Sequence, residues 1–100
     1  MKVFKTLLTI DSNLKDFLKQ TERYFSIEID NGIIEKIFKD VEADQVSEKN
    51  YVIFSKERNL LKRELTIEGT VDEYEPESFW IVIQNLRDKD VNHLENLISG

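Results

Sequence analysis

Apolar and polar positions along the chain change period several times, and each change marks an element. Over residues 2 to 10, Val3, Lys5, Leu7 and Thr9 alternate with Lys2, Phe4, Leu8 and Ile10. Val, Phe, Thr and Ile suit a pleated surface, so this stretch predicts a strand. From Leu14 the spacing becomes helical, with Phe17, Leu18, Thr21 and Phe25 on one side and Lys15, Asp16, Lys19, Glu22 and Arg23 on the other. The pattern predicts an amphipathic helix over 12–25, capped by Asp11 or Ser12, whose side chains accept from the free N–H groups of a first turn.

Residues 26 to 43 carry two competing signals. Ile27-Glu28-Ile29-Asp30 alternates, and Asn31-Gly32 is a strong hairpin signal. Ile33, Ile34, Ile37, Phe38 and Val41 then form one helical stripe, whereas a pleat would put Ile33 beside Glu35 and Lys39. The expectation is a short strand or extended link, then a helix capped by Asp30 or Asn31.

After a polar connection the character turns to sheet. Tyr51-Val52-Ile53-Phe54 opens a strand and Glu57-Arg58-Asn59 reads as a turn. Residues 61 to 71 alternate, with Leu61, Leu65, Ile67 and Val71 toward a core and Lys62, Glu64, Thr66, Glu68 and Thr70 toward water. Arg63 and Gly69 fall on the apolar side, where Arg63 would snorkel and Gly69 would mark a bulge or kink. Phe79-Trp80-Ile81-Val82-Ile83 is apolar without alternation, which predicts a central strand covered on both faces with Trp80 in the core. Asp88 is the expected cap of a last helix striped by Val91, Leu94, Leu97 and Ile98 and ending at Gly100. The elements predict one α+β sandwich domain over 1–100. Its sheet is antiparallel or mixed, of about four to five strands, with about three helices packed mainly on one face.

Composition sets bounds on this picture. A chain of 100 residues, 40% of them hydrophobic, can bury one real core without a metal or disulfide staple. There is no Cys, which excludes disulfides and thiolate metal sites and fits a reducing compartment, so the cytoplasm is the expected location. The apolar run after Met1-Lys2-Val3 ends at Asp11, too short for an export signal, and nothing approaches the length of a membrane span.

Candidate chemistry is sparse. The single histidine, His93, has no second His or Cys to help it bind a metal, and its surroundings read as the edge of a helix stripe. None of Ser12, Ser26, Ser47, Ser55, Ser78 or Ser99 sits in a nucleophile elbow. Gly32, Gly69 and Gly100 are isolated and form no phosphate-cradling loop. No catalytic residue, cofactor or metal is expected. Lys49, Lys56, Arg58, Lys62 and Arg63 gather near the first hairpin but are diluted by Glu48, Glu57 and Glu64. With a net charge of −6, direct binding to nucleic acid has the wrong electrostatics.

One acidic cluster stands apart. Glu68, Asp72, Glu73, Glu75 and Glu77 run from one strand through the loop around Pro76, with no Lys or Arg between them and Tyr74 in their midst. Carboxylates at such a rim would steer a basic surface, and an aromatic ring would anchor it. The alternative is an ordinary solvated loop in which Tyr74 covers the fold. Size, acidity and the lack of chemistry together point to a non-enzymatic binding protein for a basic protein partner. In general character the chain resembles the small acidic immunity proteins of bacterial type, or an antitoxin that blocks a toxin enzyme such as a nuclease. The alternatives are an inhibitor of a host defence nuclease that mimics nucleic acid, a small structural subunit, and an enzyme dependent on carboxylates and His93.

Overall fold

The elements follow from where the chain can satisfy its backbone while burying its apolar stripes. In the computed structural model, which describes residues 1–44, 50–57 and 64–99, the order is β1 (Lys2–Thr9), α1 (Ser12–Phe25), α2 (Asn31–Glu42), β2 (Asn50–Glu57), β3 (Glu64–Val71), β4 (Ser78–Leu86) and α3 (Asp88–Ser99). The four strands form one antiparallel sheet ordered β1-β4-β3-β2. The fold is α+β, with three helices among the described residues.

Both predicted caps on the first two helices are present. The Asp11 side chain accepts from Asn13 N–H and the Asp30 side chain from Gly32 N–H, each at 2.8 Å. Asn31-Gly32 therefore opens a helix and not a hairpin, because Asp30 offers its carboxylate to the first turn. α1 buries Leu14, Phe17, Leu18, Thr21 and Phe25, the stripe expected from its spacing. Thr21 is tolerated there because its hydroxyl donates to the Phe17 carbonyl at 2.8 Å. α1 and α3 pack on β1, and α2 packs on β2.

The core lies between these helices and one face of the sheet: Phe4 from β1, Leu65 and Ile67 from β3, and Phe79, Ile81 and Ile83 from β4. Strand β4 is central, as expected, but among the described residues it is covered on one face only. Trp80 and Val82 alternate with the buried positions and lie half-buried on the opposite, open face. The expectation of Trp80 in the core is thus corrected. A continuous apolar run signals burial of a strand without saying that both sides are buried inside the same fold.

Gly69 is neither a bulge nor a kink. A Cβ at this position would sit 2.0 Å from Cε2 of Phe79, so the missing side chain makes room for that ring. The irregularity lies instead on the neighbouring strand, where Val52 pairs with Glu68 and Phe54 with Ile67, leaving Ile53 as the extra residue. Asp88 is likewise within α3 and not before it. The Arg87 carbonyl accepts the first helical bonds, from Asp90 and Val91 N–H. Glu57 belongs to β2, and the expectations for Arg58, Asn59, Leu61, Lys62, Arg63 and Gly100 fall outside the described residues, as do those for Ser47, Glu48 and Lys49. No helix among the described residues is long and apolar enough to cross a membrane.

Candidate functional site

Strands β3 and β4 are joined by Asp72 to Glu77, the acidic loop singled out from the sequence. Its shape is set by Asp72. One carboxylate oxygen, Oδ2, accepts from the backbone N–H groups of Tyr74 at 3.0 Å and Glu75 at 2.8 Å. The other, Oδ1, accepts from the Trp80 indole N–H at 2.6 Å. An aspartate that bonds the backbone two and three residues ahead imposes a turn without help from the strands. The turn is closed by Asp72 N–H to the Ser78 carbonyl and Ser78 N–H to the Glu75 carbonyl, both 2.8 Å, and it is fastened to the end of β1 by Ile10 N–H to the Glu77 carbonyl at 2.7 Å.

The six residues picked from the sequence thereby divide into three kinds. Glu73, Tyr74, Glu75 and Glu77 are exposed together on the loop. The Tyr74 ring is 86% exposed, so it covers nothing of its own fold. Asp72 is half-buried and turned inward, and it is not a free rim charge. The indole N–H first, and then the Glu75 N–H, hold its carboxyl below the usual carboxylate range against a smaller opposing effect of burial. Glu68 stands apart from the loop, half-buried on the open sheet face between Val52 and Val82.

That open face is the second part of the site. Among the described residues helices cover only the Phe79 side, and the reverse side presents Leu7, Trp80, Val82 and Val52 in adjoining rows, with Leu7 and Val52 38% and 54% exposed. The Lys5 ammonium lies 4.7 Å from the centre of the Trp80 ring, a cation–π contact. Sequence reasoning missed this face because it assigned both sides of β4 to the core.

A further polar cluster joins α1 to α3. Asp90 is buried, and it accepts from Tyr24 Oη at 2.7 Å, Arg87 Nε at 3.0 Å, Arg87 Nη2 at 3.1 Å and Arg87 backbone N–H at 3.0 Å. Burial pushes the Asp90 carboxyl up, but the bonds from Arg87 and Tyr24 outweigh it and hold the group down at about 2. His93 stacks on Tyr24, ring centres 3.9 Å apart and planes 11° from parallel. Tyr24 and Asp90 are 66 positions apart, so no local pattern announces the pair. Through the bonds to Arg87 the cluster ties down the start of α3. Among the described residues no group of three or more His, Asp or Glu side chains is placed to hold a metal.

The arrangement can therefore hold a negatively charged edge next to an apolar sheet surface. Comparison of the chain with models of protein families, with curated proteins and with solved structures finds no match.

Proposed function

We propose that this chain is a cytoplasmic, bacterial-type binding protein that neutralises a basic protein partner, in the manner of an immunity protein or antitoxin blocking a toxin enzyme such as a nuclease. The observation that carries this reading is the Asp72 turn. Its carboxylate braces the backbone of Tyr74 and Glu75, beside which Glu73, Glu75 and Glu77 are exposed around the 86% exposed Tyr74, with Glu75 also accepting from Ser78 Oγ at 3.2 Å. A braced loop loses little freedom when a partner docks, which is where much affinity is otherwise lost. The cleft of a nuclease is basic because it must hold phosphates, so carboxylates presented on a rigid edge complement it and speed encounter.

The experiment is co-purification of the tagged chain from its native source at low and at moderate salt, with bound proteins identified by mass. A basic protein retained by the wild type and lost when Glu73, Glu75 and Glu77 are all changed to Lys supports the reading. Retention of the same protein by that charge-reversed variant rejects it.

A further inference from the structure

The open sheet face carries its charges asymmetrically, and that asymmetry has a geometric consequence. One row across the sheet runs Lys5, Val82, Glu68, Val52, read from the pairings of β1 with β4, β4 with β3 and β3 with β2. Lys5 and Glu68 thus flank Val82 at the same level, one strand to each side. The next row runs Leu7, Trp80, Thr70, Asn50. The face is apolar at the middle strand, cationic on the β1 side and anionic on the β3 side.

From this layout we infer that the open face is the interface of a symmetric homodimer. Two such sheets pack face to face about 10 Å apart with strands nearly aligned. A twofold axis lying between the sheets and running along β4 sets Val82 on Val82 and Trp80 near Trp80. It also lays β1 over β3 of the other copy, so that each Lys5 stands over the other copy's Glu68. An axis across the strands does the opposite, placing Lys5 on Lys5 and Glu68 on Glu68. Only the first arrangement is self-complementary, as a closed twofold interface must be.

The size of the overlap fits a weak dimer. With the axis along β4, β1, β4 and β3 overlap while β2 of each copy overhangs, so three strands cover roughly 400 Å² per copy, hence about 800 Å² for the pair, from the usual strand spacing and rise. That is the size of a weak, transient interface, so the expected dissociation constant is on the order of 100 μM. Pairing through the β1 edge is disfavoured by the exposed Lys2 and Lys5 on that strand, charges that blunt an edge against another strand. The parallel axis has one more effect, beyond the partner reading above and independent of it. Both β3–β4 loops come to the same end of the dimer, which doubles the carboxylates presented there.

Sedimentation equilibrium of the full chain tests this between about 1 μM and about 500 μM, in about 0.15 M salt to screen the net charge of −6 on each copy. The mass should rise from 11.8 kDa toward twice that value with concentration. Val82→Glu should abolish the rise. Lys5→Glu and Glu68→Lys should each weaken association about tenfold, and the double exchange should restore it to within about threefold of wild type, since the pair is merely inverted. Circular dichroism confirms that each variant is folded, and the charge pair keeps the test alive if Val82→Glu is not. A wild type that stays monomeric throughout overturns the dimer and leaves the face to a different protein. A dimer indifferent to Val82→Glu, or a double exchange no better than the single ones, overturns this interface. The measurement uses the isolated chain, so its failure leaves the acidic-loop reading standing, and loss of that reading leaves the dimer untouched.

Discussion

The Trp80 indole N–H donates to Asp72 Oδ1 at 2.6 Å, and through this bond the open sheet face and the acidic loop become one rigid piece. The same carboxylate holds the backbone of Tyr74 and Glu75. Asp72→Ala therefore removes an internal brace and not a surface charge. The urea midpoint should fall, and Trp80 fluorescence should report a changed environment in the folded protein. Asp72→Asn, which keeps an acceptor, should fall between the two. A midpoint for Asp72→Ala equal to wild type would show that the loop holds its shape by other means.

The Asp90 cluster makes a pH prediction with a definite sign. The folded carboxyl titrates at about 2, below its ordinary 3.8. A depressed carboxylate adds stability above its unfolded pKa and loses it as pH falls through the folded one. Asp72, also lowered, adds in the same direction. Stability should therefore decline as pH drops from about 4 to about 2. Asp90→Asn should lower the urea midpoint at neutral pH and flatten the decline in that acid window. An unaltered acid slope in the variant would place the linkage elsewhere.

Gly69 and Phe79 are coupled by shape. Since a Cβ on Gly69 would lie 2.0 Å from the ring, Gly69→Ala must displace Phe79 from a fully buried site. The expected loss is about 1–3 kcal/mol, the usual cost of overpacking a core. Phe79→Leu alone should also destabilise, but combined with Gly69→Ala the losses should sum to less than the two separately. Strict additivity in this double-mutant cycle, read from urea midpoints, would contradict the contact.

Ile81 is fully buried on the helix side of the same strand. Ile81→Ala should cost about 2–5 kcal/mol, while Val82→Ala, on the open face one position on, should cost much less in the monomer. Equal losses for the two would deny the one-sided cover of β4.

These contrasts explain what could be read from the sequence and what could not. Helices α1 and α2 were legible because their stripes and their caps, Asp11 and Asp30, are local facts of neighbouring residues. The central place of β4 was legible from its apolar run. Its one-sided cover was not, because Trp80 and Val82 are as apolar as Phe79 and Ile81, and composition cannot tell a face buried within the fold from one left open. Gly69 looked like a bulge since its reason, the Phe79 ring, comes from the next strand. The acidic loop was found as a cluster of charges, and four of its residues do emerge together at the surface. The inward role of Asp72 depends on the hairpin bringing Trp80 back beside it, and the union of Tyr24 with Asp90 depends on packing α1 against α3.

The most direct test of the account measures association kinetics between this chain and any basic protein that co-purifies with it, by stopped flow at two salt concentrations. Changing Glu73, Glu75 and Glu77 to Lys should slow association and flatten its salt dependence, because rim charges act mainly on the on-rate. Folding should change by no more than about 0.5 kcal/mol for each exposed substitution. Tyr74→Ala should leave the on-rate near wild type and speed dissociation. Association and dissociation rates unchanged in both variants at both salt concentrations would contradict the claim that the acidic loop is the binding edge.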